Sequence, residues 1–248
     1  MNPFLIIAHR GASKYCPENT MAAFRKALEL GANAIETDVH MTEDGRLVLL
    51  HDESLKRTTG SPQLVKDVTF DELKRLDAGG WFDSAFQGER VPALEDLFEL
   101  VADTEVQINL ELKNGVVLYP GIEEAVVAAA RQYGMADRVL ISSFNHYSLA
   151  LCKQLAPEIR TGILYTEGLY RPWDYAASVG ANALHAFHIA VLPEWVQAAA
   201  ERGLVYYPYT VNEPDRMRVL LDAGVSGIIT DYPDRLAEVL AEKVGNRA

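Results

Sequence analysis

Acidic residues stand at alternate positions of an apolar segment near the start of the chain. Glu36 and Asp38 are two residues apart, so on a β-strand their side chains point to the same face. Glu111 closes another apolar segment, and three carboxylates that converge repel one another unless a cation neutralises them. Such oxygen ligands suit Mg2+ or Ca2+. Spacing alone leaves three alternatives open: salt bridges with Arg10 and Lys113, solvated charge at the rim of the barrel, or a buried carboxylate pair of the glycosidase type.

Two histidines also follow apolar segments. His9 precedes Arg10 and His51 precedes Asp52, so each histidine has a charged neighbour. Imidazole exchanges protons near neutral pH, and two imidazoles can serve as general base and general acid in one reaction. A single histidine is more often structural, but a glycosidase-type site would leave both of these unexplained. Asp52 either orients His51 or caps the following turn.

The segments that carry these residues alternate between two patterns. Short β-branched runs, typical of strands, precede longer runs that are typical of helices. Eight of each in 248 residues predict a (β/α)8 TIM barrel, with one catalytic domain over residues 1–248 and an open doubly wound sheet as the alternative. The candidate site residues then fall at the carboxyl ends of strands, where barrel enzymes assemble their sites. The predicted strands are 4–8, 34–39, 106–112, 138–142, 160–164, 183–187, 204–208 and 227–230, and the predicted helices are 19–30, 94–101, 122–133, 147–155, 173–179, 193–202, 215–223 and 234–243.

One long segment interrupts this alternation after the second strand. Asp44 and Gly45 are typical of a hairpin turn, and a short strand is predicted over residues 47–50. Residues 53–92 contain enough apolar side chains to pack, so we expect an ordered insertion subdomain that covers one face of the barrel. Segments of this length in compact domains usually carry function.

The charge balance limits the partners of the chain. With 23 Lys and Arg against 35 Asp and Glu, the formal net charge is −12, which argues against nucleic acid as a partner. No apolar stretch approaches the ~20 residues that span a bilayer, and the lack of a basic amphipathic helix argues against stable membrane association. Cys16 and Cys152, far apart, and the absence of a signal sequence favour a reducing cytoplasm. Monomer and homodimer both stay open.

The order of the motifs resembles that of the glycerophosphodiester phosphodiesterases. The resemblance covers essentially the whole chain, and the ordered set is far more specific than any one motif. Within it, Asn19 is expected to cap the first helix, and Glu18 to bond near the site. The motifs are His9-Arg10-Gly11, Pro17-Glu18-Asn19-Thr20, Glu36-Thr37-Asp38-Val39, His51-Asp52, Glu111-Leu112-Lys113 and Gly227-Ile228-Ile229-Thr230-Asp231-Tyr232-Pro233.

This resemblance implies metal-dependent hydrolysis of glycerophosphodiesters, such as glycerophosphocholine or glycerophosphoethanolamine, to glycerol 3-phosphate and an alcohol. It implies one divalent cation, Mg2+ or Ca2+, and identifies residues 53–92 with the insertion characteristic of the family. The implied roles are acid–base catalysis for His9 and His51, metal binding for Glu36, Asp38 and Glu111, and phosphate contacts for Arg10 and Lys113.

Aromatic residues are expected to line the pocket for the alcohol. Phe144, Phe187 and Tyr209 follow predicted strands, and Tyr209 stands where the family often has tryptophan. His185 and His188, near the sixth strand, are further candidates for substrate contact. Two alternative functions stay open: a lysophospholipase D or phosphoinositide-type lipase on the same scaffold, and a non-catalytic ligand-binding barrel.

Overall fold

The computed structural model of the protein describes residues 4–245. None of the helices described there combines the length and the hydropathy of a membrane-spanning helix. The strands are β1 (Leu5–His9), β2 (Ala34–Met41), β3 (Leu47–Leu49), β4 (Gln107–Leu112), β5 (Val139–Ser143), β6 (Arg160–Tyr165), β7 (Ala183–Ala186), β8 (Val205–Tyr206) and β9 (Gly227–Thr230). The helices are α1 (Met21–Glu29), α2 (Lys56–Thr59), α3 (Phe70–Leu73), α4 (Leu94–Val101), α5 (Ile122–Gln132), α6 (His146–Leu155), α7 (Pro172–Val179), α8 (Pro193–Ala200), α9 (Pro214–Ala223) and α10 (Pro233–Gly245).

All strands except β3 are parallel and close into a barrel. Their hydrogen-bonded order is β8-β7-β6-β5-β4-β2-β1-β9, which leaves one seam, between β8 and β9. Three backbone hydrogen bonds cross this seam, from Ser226 N to Tyr206 O at 3.2 Å, from Ile229 N to Pro208 O at 3.0 Å and from Val211 N to Ile229 O at 2.9 Å. The predicted (β/α)8 fold is therefore confirmed, and the open doubly wound sheet is wrong. β8 is shorter than predicted because regular pairing with β7 ends at Tyr206.

Side chains of each strand point alternately into the barrel and out towards the helices. The outward side chains join the helices in the main hydrophobic core, whereas the inward side chains form a smaller apolar cluster. Along the inward face, towards the carboxyl ends of the strands, the apolar residues are followed by polar and ionisable residues. Three members of the inner cluster, Ile7, Tyr207 and Ile229, are followed two residues later by His9, Tyr209 and Asp231.

The first helix is capped by a residue other than the predicted one. Thr20 is the N-cap, because its Oγ1 accepts a hydrogen bond from Ala23 N at 3.3 Å. Asn19 has a φ of 54°, and its side chain turns to β2 instead. There its amide donates to Asp38 Oδ2 at 2.9 Å, and its Oδ1 accepts from Thr37 Oγ1 at 2.7 Å. The prediction that Asn19 caps the helix is wrong, since the residue instead supports a carboxylate of the candidate site.

The long segment after β2 folds back and packs on itself. β3 pairs antiparallel with β2, with Val39 opposite Leu49, and Gly45 makes the connecting turn with a φ of 80°. Residues 53–92 then contain α2, α3 and two 3-10 turns at residues 65–67 and 84–86. Together with β3, this segment forms its own hydrophobic cluster, whose buried members are Val48, Leu50, Leu55, Val65, Val68, Leu73, Ala78 and Val91.

Candidate active site

Three carboxylates converge inside the carboxyl end of the barrel. β2 and β4 are neighbours, with Asp38 opposite Glu111, and Glu36 lies on the same face of β2 two residues earlier. One ligand atom from each residue lies within 4.8 Å of the other two. Glu36 and Asp38 are only 3% and 1% exposed. The spacing in the sequence therefore produces a compact and largely buried carboxylate cluster.

Two cations border this cluster. Lys113 Nζ lies 3.0 Å from Glu111 Oε1 and 3.7 Å from Asp38 Oδ1. Arg10 Nε lies 3.4 Å from Asp38 Oδ2, and the backbone N–H of Arg10 donates to Glu36 Oε2 at 2.9 Å. The salt bridges that the sequence left open are thus present. They do not balance the cluster, because two cations face three carboxylates.

The pKa values of the carboxyl groups reflect both their burial and this imbalance of charge. Burial raises the pKa of Glu36 well above its ordinary value, and the charges of Asp38 and Glu111 add to the rise. Burial and then Asp38 raise the pKa of Glu111 to about 7. Burial also acts to raise the pKa of Asp38, but Arg10 and Lys113 outweigh it and hold that pKa below its ordinary value.

The donor set fits a divalent cation. Carboxylate oxygens are hard ligands of the kind that Mg2+ and Ca2+ prefer, and all three donors are close enough to share one ion. A doubly positive ion would compensate the excess negative charge that raises the pKa values of Glu36 and Glu111. The three residues are therefore able to hold the metal that the sequence resemblance implied.

A tight turn after β1 brings Arg10 to the cluster. Arg10 and Gly11 have φ values of 56° and 80°, in the left-handed region that side chains rarely adopt. A Cβ on Gly11 would lie 2.7 Å from the backbone carbon of Ala23 in α1, so only glycine fits this close approach. The turn directs the amide of Arg10 to Glu36 while its guanidinium reaches Asp38.

His9 ends β1 beside the cluster, paired in register with Glu36 on β2. Its Nδ1 lies 2.6 Å from Asp231 Oδ1, and Asn212 and Ser13 donate to the same carboxylate at 2.7 and 3.1 Å. Nε2 of His9 has no hydrogen-bond partner within residues 4–245, which leaves it available for proton exchange. Sequence reasoning assigned no role to Asp231, although it lies in the C-terminal motif.

His51 lies on the bend after β3 and is held by contacts on two sides. Its Nδ1 is 2.8 Å from Asp52 Oδ1, so Asp52 makes the orienting contact, one of the two roles considered for it. The backbone oxygen of His51 is 3.2 Å from Nε2 of the buried His40, whose Nδ1 is 2.8 Å from the Tyr119 hydroxyl. Burial lowers the pKa of His51, which favours the neutral imidazole.

Two carboxylates behind the site share one arginine. Glu18 binds Arg10, with 2.9 Å between Arg10 Nη1 and Glu18 Oε1, as expected for a residue that bonds near the site. Arg57 of α2 pairs with both Glu18 and Asp52. Arg57 was missed in the sequence, because its position five residues after Asp52 gave no reason to expect contact with a carboxylate 39 positions away.

The predicted aromatic residues meet at the rim of a cleft. This cleft, of about 360 Å³, is lined by Glu111, Lys113 and Phe144, among others, and Phe144 is 48% exposed. The rings of Phe144 and Tyr209 pack edge to face with 6.2 Å between their centroids. Phe187 lies another 6.2 Å from the Tyr209 ring, so all three aromatic candidates are adjacent.

The two further histidine candidates lie elsewhere. His185 is completely buried in the barrel, where its ring packs on Tyr207 with 5.5 Å between centroids, and burial lowers its pKa to about 3. Gly162 makes room for it, since a Cβ there would lie 2.5 Å from His185 Nε2. His188 begins a short 3-10 turn after β7. Neither histidine lines the cleft beside the carboxylates.

Comparison with known proteins identifies relatives of this fold and site. A sequence model of the glycerophosphoryl diester phosphodiesterase family matches residues 9–235. The chain is 48% identical over 236 residues to the glycerophosphodiester phosphodiesterase of Caldanaerobacter subterraneus subsp. tengcongensis, and the match covers 95% of this chain and 97% of that protein.

Solved structures extend this similarity. The crystal structure of a glycerophosphodiester phosphodiesterase from Agrobacterium tumefaciens matches with a TM-score of 0.84 at 32% identity and covers 96% of this chain and 100% of that chain. A phosphodiesterase from Oleispira antarctica, solved with its product sn-glycerol-3-phosphate, matches with a TM-score of 0.85 at 30% identity. That match covers 95% of this chain and 96% of that chain.

Proposed function

The chain belongs to the glycerophosphoryl diester phosphodiesterase family, and we propose that it uses a divalent metal ion to hydrolyse glycerophosphodiesters to glycerol 3-phosphate and an alcohol. The observation that carries this proposal is the close cluster of three carboxylates beside two histidines that are each bound to an aspartate. The product complex of the Oleispira antarctica relative supports the same product here.

The carboxylates and the cationic side chains have different roles in substrate binding. In this proposal Glu36, Asp38 and Glu111 hold one cation, Mg2+ or Ca2+, which when bound supplies positive charge against the phosphoryl oxygens. Arg10 and Lys113 border the same cluster and contact the phosphate. The planar guanidinium of Arg10 suits two oxygens at once, whereas Lys113 acts as a point charge.

His9 and His51 exchange protons in the proposed reaction. One imidazole takes a proton from the nucleophile, either the 2-hydroxyl of the glycerol or a water molecule, whose oxygen forms a bond to phosphorus. Attack by the 2-hydroxyl gives a cyclic phosphate, and water then breaks its bond to the 2-oxygen to give glycerol 3-phosphate. The other imidazole gives a proton to the departing alkoxide as the bond from phosphorus to that oxygen breaks. Asp231 and Asp52 bind Nδ1 of the two rings, so Nε2 is the nitrogen that exchanges the proton in each.

We place the alcohol part of the substrate in the cleft beside the cluster. Phe144 and Val116 give this cleft apolar surface, and Glu53 also lines it. Within residues 4–245 the carboxylate of Glu53 makes no side-chain hydrogen bond and no salt bridge, and its charge acts only through space on His40 and Tyr119. An unpaired carboxylate near an aromatic ring suits a cationic alcohol, so ethanolamine and choline are the headgroups we expect, with Tyr209 extending the aromatic wall.

A release assay tests this function. Protein stripped with EDTA is given glycerophosphocholine, glycerophosphoethanolamine or the uncharged-headgroup glycerophosphoglycerol, with and without Mg2+ or Ca2+, and glycerol 3-phosphate is measured. We expect at most trace turnover after stripping, recovery with a divalent cation, and a higher kcat/KM for the two cationic headgroups. Full activity after exhaustive EDTA treatment would contradict the metal requirement. Equal kcat/KM for glycerophosphoglycerol would contradict the headgroup preference.

The same assay separates the alternatives. Faster choline release from lysophosphatidylcholine than from glycerophosphocholine would favour the lysophospholipase D, and binding of the diesters without turnover would favour a ligand-binding barrel. We also propose a cytoplasmic enzyme without stable membrane association. The net charge of −12 opposes binding to anionic lipid surfaces, and both cysteines are free thiols, as expected in a reducing compartment.

A further inference from the structure

One guanidinium group bridges the two carboxylates that lie behind the site. Arg57 donates to both oxygens of Glu18, from Nη1 to Oε2 and from Nη2 to Oε1, each at 2.8 Å. It also donates to both oxygens of Asp52, from Nε at 2.7 Å and from Nη2 at 3.1 Å. The planar fork of arginine matches carboxylates in this way, so a single side chain makes two bidentate pairs.

Each of these carboxylates also binds a residue of the proposed site. Asp52 Oδ1 lies 2.8 Å from His51 Nδ1, and Glu18 Oε1 accepts from Arg10 Nη1 at 2.9 Å. Arg57 is therefore linked to the proposed acid–base histidine through Asp52, and to the proposed phosphate-binding arginine through Glu18. These two residues come from distant parts of the chain, and Arg57 connects the side chains that orient them.

The ion pairs keep the side chains of Asp52 and Arg57 ionised. The hydrogen bonds from Arg57 lower the pKa of Asp52 to about 2, and those to Glu18 and Asp52 raise the pKa of Arg57 above its ordinary value. The side chain of Arg57 is 41% exposed, so solvent screens these pairs and they contribute little to the stability of the fold. Their main effect is on the direction of the side chains that they join.

Other residues of the 53–92 segment also contact Arg57. The Cζ atom of Arg57 lies 5.7 Å from the ring centroid of Trp81, and Trp81 Nε1 donates to the Ala78 oxygen at 2.9 Å. Leu55, which precedes α2, and Ala78 both belong to the hydrophobic cluster of this segment. The segment thus packs next to α2 and places an aromatic ring against the guanidinium.

We propose that Arg57 is a positioning residue through which residues 53–92 orient His51 and Arg10 for hydrolysis. This inference rests on the proposed function, since it gives Arg57 no chemical step of its own. Among the described residues, Arg57 makes no ion pair with Glu36, Asp38 or Glu111, so its removal leaves the carboxylate cluster in place.

Substitution of Arg57 tests the inference directly. Arg57→Ala is expected to lower kcat by ~10-fold to ~100-fold, the usual effect of removing a group that orients a functional side chain, while metal affinity is retained. Arg57→Lys keeps the charge but cannot form two bidentate pairs, so only part of the lost kcat should return. Lys56→Ala, at the neighbouring exposed position of α2, is the matched control and should keep the wild-type kcat.

A double-mutant cycle distinguishes positioning from a general structural effect. If Arg57 acts through Asp52, Arg57→Ala combined with Asp52→Asn should lower kcat by less than the product of the two single losses. Losses that multiply, or an Arg57→Ala variant within twofold of the wild-type kcat, would overturn the inference. Thermal unfolding checks each variant, and Arg57→Lys takes the place of Arg57→Ala in the cycle if the alanine variant does not fold.

His51→Ala separates this inference from the proposed function. A large loss in His51→Ala with normal turnover in Arg57→Ala overturns the role of Arg57 alone. A wild-type protein that hydrolyses no glycerophosphodiester with any added divalent cation overturns the proposed function.

Discussion

The carboxylate cluster and His51 occupy the same end of the barrel but are held there by different means. Glu36, Asp38 and Glu111 lie on β2 and β4, where the register of a parallel ladder fixes the backbone. His51 lies on a bend after β3, and its ring is directed by Asp52, which Arg57 holds in turn. Backbone hydrogen bonds thus position the carboxylate cluster, whereas side-chain contacts position the ring of His51.

This difference determines how the cluster and His51 should each respond to substitution. A residue within a ladder keeps its place when a neighbouring side chain changes, because the ladder hydrogen bonds join backbone atoms. A ring on a bend depends on its side-chain partners and should shift when one of them is lost. Changes at the cluster should therefore alter charge and metal affinity, whereas changes near His51 should alter catalysis and leave metal affinity unchanged.

The largest effect is expected for Asp38→Asn. Asp38 is central to the cluster, since both Arg10 and Lys113 approach it and Asn19 donates to it. Removing this anionic donor should weaken metal binding and lower kcat by at least ~10³-fold, because charge stabilisation by a metal supplies several kcal/mol. Isothermal titration with Mg2+ and Ca2+ and the release assay measure both effects on one sample.

A surface carboxylate provides the control for this variant. Asp71→Asn, at a side chain that is 70% exposed, should keep both metal affinity and turnover. If Asp38→Asn binds metal with wild-type affinity, the carboxylate cluster on β2 and β4 is not the metal site.

His51→Ala should separate catalysis from metal binding. Loss of the imidazole removes one partner of the acid–base pair, so kcat should fall by at least ~10²-fold. Metal affinity should stay at the wild-type value because the ladder that carries the cluster is unchanged. The same titration and release assays apply. Near-normal turnover would exclude His51 from the acid–base role, and a parallel loss of metal affinity would show that the cluster and His51 are not held independently.

The same difference explains what the sequence could predict. Alternating side-chain direction places Glu36 and Asp38 on one face, and the carboxyl ends of parallel strands meet at one end of a barrel. Local pattern therefore suffices to bring Glu111 to them, as the register of β2 and β4 shows. The barrel itself follows from eight repeats of the same local alternation.

Contacts that depend on distant side chains were beyond this reasoning. Asp231 meets His9 across 222 positions of the sequence, and Arg57 meets Glu18 across 39. No periodicity links such pairs, because they depend on how loops from separate units fold over the barrel. Asn19 was misread for a related reason. A good capping residue stood next to another one, and the tertiary contact with Asp38 decided between Asn19 and Thr20.

The smallest predicted effect concerns the stability of the metal-free protein. Burial and Asp38 raise the pKa of Glu111 from 4.5 to about 7, so between these pH values the folded chain binds more protons than the unfolded chain. The free energy of unfolding must then fall as pH rises through this window. The glutamine side chain in Glu111→Gln is neutral at every pH, so the free energy of unfolding of this variant should fall less steeply with pH. Its Tm at pH 8 should be higher than that of the wild type by on the order of 5 °C.

Thermal unfolding in EDTA from pH 4.5 to pH 8 measures these slopes, with Glu99→Gln as a control at an exposed position of α4 that should follow the wild type. Some slope should persist in Glu111→Gln, because burial also raises the pKa of Glu36. A wild-type Tm that stays constant through the window would mean that burial and the neighbouring charges do not raise the pKa of Glu111. A slope that is reduced both by Glu111→Gln and by added divalent metal would mean that the ladder holds these carboxylates together although burial and mutual repulsion both oppose their ionisation. His51 lies on a bend, where no ladder of backbone hydrogen bonds holds like charges together.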